Sequence, residues 1–228
     1  MSGMQEVAME QQMVCEAQIM NQASAQPSYS ANCEAIWIQG AQQGDLSGFN
    51  QLVLAHQDGV FRWVVSLVYD DMLAEDITQW TFVTAFEKLS TFRGGSFRAW
   101  LFRIARNRSF DEMRRRKNHA AVSLDDSTDS DHDRLEVLPD GSPLPEEELI
   151  KIEQAAMIEN LLSRLPETFQ QTLRLIDMEG MDYQEAADVL GLPLGTVKSR
   201  LARARLKIRD SFQKTVQQED LFLYRWQS

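Results

Sequence analysis

From Ile36 onward, apolar residues recur at three- and four-residue spacing, and no segment alternates as a half-buried strand would. Phe49, Leu52 and Val53, followed by Val60, Phe61, Val64, Val65 and Val68, predict two amphipathic helices. A third is expected from about Leu73 to Leu89 and a fourth from about Ser96 to Arg116, with the glycines of TFRGG forming the loop between them. In the C-terminal half, Leu-Pro, Glu-Gly and Gly-Leu-Pro breaks divide helices expected near 146–163, 167–178, 182–190 and 195–212. The expected fold is all-α, two small helical bundles over residues 35–117 and 146–212. A flexible acidic linker, 118–145, joins them. Residues 1–34 are rich in Gln, Ser, Ala and Met without a sustained period and read as a mobile arm, and residues 213–228 form a C-terminal tail.

Charge changes this picture more than composition does. The chain of 228 residues is 43% hydrophobic and 25% charged, ordinary for a folded protein with one or two cores. Its net charge is −11, yet residues 93–117 hold nine Arg/Lys against two acids, and residues 196–210 hold six against one. Residues 118–148 hold ten acids against one Arg. The location of charge decides where phosphates can dock, so two basic blocks point to nucleic acid. The overall negative sign makes free DNA a poor ligand for the isolated chain, and a partner is expected to present it.

Several classes drop out. No apolar run approaches the roughly 18–20 residues of a membrane span, so no membrane insertion is expected. The segment MSGMQEVAMEQQMVCEAQIM lacks the basic and apolar regions of a signal peptide, which places the protein in the cytoplasm. Cys15 and Cys33 stand without CxxC spacing or nearby His, so two reduced thiols are expected and no metal. The DSDHD run carries Arg134 and Asp140 where a calcium loop wants Gly and Glu. No Ser, Tyr or acidic cluster has catalytic spacing, so neither an enzyme nor a cofactor is expected.

The segment DYQEAADVLGLPLGTVKSRLARARLKIRD carries the strongest motif, a helix-turn-helix. Asp182 is suited to cap the first helix, Ala186 and Ala187 let two helices cross closely, and Gly191 stands at the turn. On the second helix, Val197, Leu201, Ala204 and Ile208 form one apolar stripe. Lys198, Ser199, Ala202 and Arg203 lie opposite it, with Thr196 at the helix start. Arg200 and Lys207 lie on one flank, Arg205 and Arg209 on the other. Small and basic side chains facing outward suit a major groove, where central residues reach base edges and flanking cations hold phosphates.

Taken together, GDLSGFNQLV, AEDITQWTFVTAFEKL, FRGGSFRAWLFRIARNRSFDEMRRRK, LPETFQQTLRLIDMEGMDYQEAADVLGLP and GTVKSRLARARLKIR resemble the extracytoplasmic-function class of bacterial sigma factors. The resemblance covers roughly residues 40–117 and 146–210. It implies an N-terminal module that docks on core RNA polymerase and opens the −10 element, and a C-terminal module that reads the −35 element of promoter DNA. It places −35 contacts at Lys198, Ser199, Ala202 and Arg203, the residues chosen by the helical wheel, with Thr196 and Arg200 beside them. It places the −10 loop at Thr91 to Ser96, including Phe92 and Arg93, with Arg106, Asn107 and Arg114 on the next helix. An anti-sigma protein is a further candidate partner.

The docking face also has a physical argument. On the 73–89 helix, Ala74, Ile77, Thr81, Phe82, Ala85 and Leu89 share one arc, and Asp76, Gln79, Trp80, Val83 and Glu87 the other. An outward Trp beside an outward Val suits the centre of a protein interface. The alternative is that Trp80 packs beneath the N-terminal arm. Among the aromatic residues near the loop, Phe97 and Trp100 share the apolar stripe with Ile104, which leaves Phe92 and Phe102 as neighbours for DNA. A self-sufficient regulator and a DNA recombinase are the competing readings; the net acidity and the second basic module argue against the first.

Overall fold

Phe49, Leu52, His56, Val60, Trp63, Val64 and Leu67 lie buried along one side of a single continuous helix in the computed structural model. The structure describes the backbone of residues 31–122 and 156–225, and side chains over 33–118 and 156–213. The arm up to residue 30, most of the acidic linker and the side chains of the tail lie outside the described residues. The chain divides into two units, Met1–Arg114 and Arg115–Ser228. Every regular element among the described residues is helical.

In the first unit, α1 (Ala31–Gln42), α2 (Leu46–Val68) and α3 (Asp71–Lys88) are followed by a 3-10 turn, Leu89–Thr91, and by α4 (Phe97–Val122). Asp45 caps α2 by accepting from the Ser47 N–H, and Asp70 caps α3 by accepting from the Leu73 N–H at 3.0 Å. The stretch read as two helices is therefore the one helix α2. The apparent break between Val53 and Val60 is occupied by His56, polar yet buried, whose Nε2 lies 2.8 Å from Glu34 Oε1. A buried polar residue with a partner keeps the 3.6-residue period that an apolar count misses. Glu34 belongs to α1, which begins at Ala31, inside the stretch read as an arm.

Helix α1 approaches α2 closely at Gly48, where a Cβ would stand 2.8 Å from the Trp37 carbonyl oxygen. Any larger residue there would push the helices apart. Trp37, Trp63, Ile77, Phe97, Leu101 and Phe102 are fully buried, and truncating such an aromatic costs about 3–5 kcal/mol. Cys33, expected as a reduced thiol, is disulfide-bonded, and its partner lies outside the described residues. Bridging depends on proximity in space, which motif spacing does not test.

In the second unit, α5 (described over 156–163) is followed by α6 (Glu167–Leu173), a π-helical turn (Arg174–Met178), α7 (Tyr183–Leu190) and α8 (Leu194–Arg225). Leu162, Leu165, Leu173, Leu201 and Ala204 form a buried cluster, flanked by Phe169, Ile176 and Ile208. Arg174 pins the π-turn to α5, donating from Nη1 to Glu159 Oε1 at 3.0 Å and from Nη2 to Oε2 at 2.5 Å. Helix α8 runs well past residue 212, its expected end, into the segment read as a tail.

Candidate nucleic-acid interface

The helix-turn-helix is built from local chemistry. Asp182 Oδ1 accepts from the Glu185 N–H at 2.8 Å while Glu185 Oε2 accepts from the Asp182 N–H at 2.9 Å, a reciprocal capping box. Gly191 ends α7 at φ 66°, a left-handed conformation that costs a side-chain-bearing residue strain. After Pro193, α8 begins at Leu194 and seats Val197, Leu201 and Ala204 against the unit's interior.

Burial of that seam leaves the opposite face of α8 open. Lys198, Ser199, Ala202 and Arg203 are exposed, and Thr196 and Arg200 are half-buried beside them. Lys198 Nζ lies 5.6 Å from the centre of the Tyr183 ring, so the first helix of the motif steadies a cation on the second. Ser199 Oγ donates to the Thr196 carbonyl at 3.0 Å. The flanks differ from one another. Lys207 lies over the Phe169 ring at 5.6 Å, and Arg209 Nε is 3.9 Å from Asp210. Arg205, read as a phosphate-holding flank, is instead gripped by Asp177, whose hydrogen bond raises the guanidinium pKa while burial lowers it in part. Asp177 comes from the π-turn, 28 residues earlier, so helical spacing on α8 carries no sign of it.

The second basic surface surrounds the loop before α4. Ser96 Oγ accepts from the Ala99 N–H at 3.1 Å, so its side chain caps α4. Gly94 and Gly95 take φ of 101° and 88° between an exposed Arg93 and that cap. Phe92, half-buried, meets the Phe97 and Trp100 rings at centroid distances of 5.6 and 5.4 Å. Phe102 does not belong to this surface. It is fully buried and stacks on Trp63 at 6.3 Å, whereas Trp100 is half-buried and reaches the loop side. Two positions on α4, a rotation of about 200°, separate the two rings.

Farther along α4, Asn107 and Arg114 are exposed, with Arg114 Nη1 3.6 Å from Asp111. Arg106 is half-buried, its guanidinium 4.7 Å from the Phe110 ring centre. Arg103, not singled out from the sequence, is exposed one turn before Asn107. Its i−4 spacing from Asn107 would have found it.

The outer face of α3 is placed as the wheel drew it. Asp76, Gln79, Trp80, Val83 and Glu87 are exposed, and Ala74, Ile77, Thr81, Phe82, Ala85 and Leu89 are buried. Trp80 is 40% exposed, and the Arg108 guanidinium from α4 lies 4.8 Å from its ring centre. Among the described residues no three His, Cys, Asp or Glu side chains gather as metal ligands, and no helix is long and apolar enough to cross a membrane.

Comparison with known proteins matches both units. Residues 52–119 match the family Sigma-70 region 2, and residues 155–208 match Sigma-70, region 4. The ECF RNA polymerase sigma factor SigE of Mycolicibacterium smegmatis is 33% identical over 83% of this chain and 71% of its own. The RNA polymerase sigma-H factor of Pseudomonas aeruginosa is 32% identical over 77% of this chain and 92% of its own. Among solved structures, CnrH in complex with the cytosolic domain of CnrY is similar with a TM-score of 0.57 at 26% identity, over 80% of this chain and 98% of that one. The sigma factor RpoE in complex with the anti-sigma factor NepR from Bartonella quintana is similar with a TM-score of 0.55 at 27% identity, over 72% of this chain and 96% of that one.

Proposed function

The chain belongs to the extracytoplasmic-function sigma factors of the sigma-70 family, RNA polymerase sigma factors of transcription initiation, and from that premise we propose how it engages promoter DNA. It acts in the cytoplasm, bound to core RNA polymerase, and itself performs no catalysis. Asp76, Gln79, Trp80 and Val83 dock on the polymerase. Thr196, Lys198, Ser199, Arg200, Ala202 and Arg203 read the −35 element. Phe92, Arg93, Ser96, Arg106, Asn107 and Arg114, joined by Arg103, hold the −10 element and support promoter opening. Ser96 contributes through backbone and cap, since its hydroxyl accepts from Ala99.

The observation that carries this reading is the two-sided build of α8. Val197, Leu201 and Ala204 are sealed inside, and small and basic side chains stand exposed opposite them. An aromatic cluster beside an exposed arginine and two glycines fits the other task, because unstacked bases need ring surfaces and close backbone approach. CnrH and RpoE are each seen with a protein partner, and RpoE's is an anti-sigma factor; a protein of that kind is the candidate regulator here.

The deciding experiment is transcription from a library of bacterial promoter fragments by core polymerase with and without this chain. Initiation that depends on the chain, at promoters sharing −35 and −10 sequences, is the expected result. Sequence-specific binding by the chain alone to a palindrome, with no effect on polymerase, would replace this reading with that of a self-sufficient regulator.

A further inference from the structure

Gln42 is the last residue of α1, far along the chain from the loop that precedes α4. Its side-chain amide nitrogen nevertheless meets two backbone carbonyls there, donating to Leu89 at 3.0 Å and to Phe92 at 3.1 Å. An amide NH₂ has two donors, and both are used. Two carbonyls facing one end of the amide also settle its orientation, because an oxygen in that place would repel both.

These bonds bracket the 3-10 turn that leads into the loop. The Leu89 carbonyl accepts from the Phe92 N–H at 3.1 Å as well, and Thr91 Oγ1 donates to the Lys88 carbonyl at 2.6 Å. Between Phe92 and the Ser96 cap of α4 stand Gly94 and Gly95, where a Cβ would meet nothing within 4 Å. The direction in which residues 93–95 leave the turn is therefore set at Phe92. Its ring is fixed by Phe97 and Trp100, and its carbonyl by Gln42.

The other end of the tether is equally well placed. After Gln42 the chain turns sharply, with the Asp45 and Gln43 N–H groups both donating to the Gly40 carbonyl, and enters α2 at the Asp45 cap. Helix α1 packs on α2 through the close approach at Gly48. Gln42 thus projects from a rigid corner onto the base of a glycine-rich loop.

We infer that Gln42 is a positioning residue for −10 recognition, which transmits the placement of α1 to the loop Phe92–Ser96 and sharpens its choice of base. The inference rests on the sigma-factor reading of that loop. It requires no contact between Gln42 and DNA.

The test uses the full chain assembled with core polymerase. The probe is a pool of promoter DNA with a fixed −35 element and six randomised bases at −10, sequenced after capture by the holoenzyme. Gln42→Glu keeps the shape but sets acceptor against acceptor, Gln42→Ala removes both donors without adding charge, and Gln42→Lys restores a donor. Glu and Ala are expected to weaken the preferred −10 base by about threefold to tenfold, the range that one part-buried and one exposed hydrogen bond of modest net worth allow. Lys should recover much of the preference, while co-elution with core polymerase, −35 preference and melting temperature stay near wild type. A wild-type −10 preference that Glu and Ala leave unchanged overturns the assignment and leaves the sigma-factor reading standing. Equal losses of −10 preference, −35 preference and core binding, with a lowered melting temperature, overturn it in favour of a purely structural role. A wild type with no −10 preference at all overturns the functional reading of the loop and the inference with it.

Discussion

Asp177, in the π-turn that follows α6, holds the guanidinium of Arg205 on α8 in a forked pair, with Arg205 Nε donating at 3.0 Å and Nη2 at 2.5 Å. The pair couples α8 to a turn outside the helix-turn-helix. It also occupies one of the six cations of residues 196–210 with a carboxylate of the same unit. Asp177→Asn keeps the shape and removes the charge. Because Arg205 is more than half exposed, the stability lost should stay below about 1 kcal/mol. The released guanidinium can then turn to a phosphate. In anisotropy titrations of the holoenzyme on promoter DNA, the log–log salt dependence of affinity should steepen by about 0.9 relative to wild type. An unchanged slope would show that Arg205 already reaches DNA despite Asp177, or never does.

Arg203 and Arg209 offer a test of whether base reading and phosphate holding fall on different side chains. Arg203 is exposed opposite the Val197–Leu201 seam, so Arg203→Ala should cost about 1–3 kcal/mol at one preferred −35 base pair and relax the choice there. Arg209, on the flank beside Asp210, should on truncation weaken all sequences alike. Holoenzyme binding to single-base variants of the −35 element reads both effects. Equal, sequence-independent losses would reject this orientation of α8.

Trp80 tests polymerase docking. Its ring is 40% exposed with Arg108 over one face, so Trp80→Ala gives up one cation–π contact worth about 0.5–1 kcal/mol at such a site. Truncating an aromatic anchor at an interface costs about 2 kcal/mol or more. Gel filtration with core polymerase should therefore lose the complex while the thermal melt moves by only a few degrees. A large fall in melting temperature would instead mark Trp80 as a core residue.

Phe102 and Phe92 should part company in a pair of denaturant titrations. Phe102→Ala opens a cavity beside Trp63 and should destabilise the first unit by about 3–5 kcal/mol. Phe92→Ala loses ring contacts with Phe97 and Trp100 worth about 0.5–1.5 kcal/mol each, at a half-buried position. Its larger effect should fall on permanganate-detected promoter opening. Comparable unfolding midpoints for the two variants would contradict the assignment of Phe102 to the core.

Much of this protein was decided locally and could be read as such. The all-α class follows from the three- and four-residue spacing of apolar side chains. The helix-turn-helix follows from Asp182, Gly191 and the Val197–Leu201–Ala204 stripe, because caps, left-handed glycines and helical faces depend only on neighbours along the chain. The two faces of α3 followed from the same rule. What required tertiary structure was each case in which a polar or aromatic group meets a partner far along the chain. His56 lies buried in an unbroken α2 with Glu34, from another helix, beside its ring. Phe102 was drawn into the core by Trp63, Arg205 was paired with Asp177, and the loop before α4 was tied to α1 by Gln42. The energy of such a pairing belongs to two residues at once, and a periodicity, which weighs residues one helix at a time, carries no record of it.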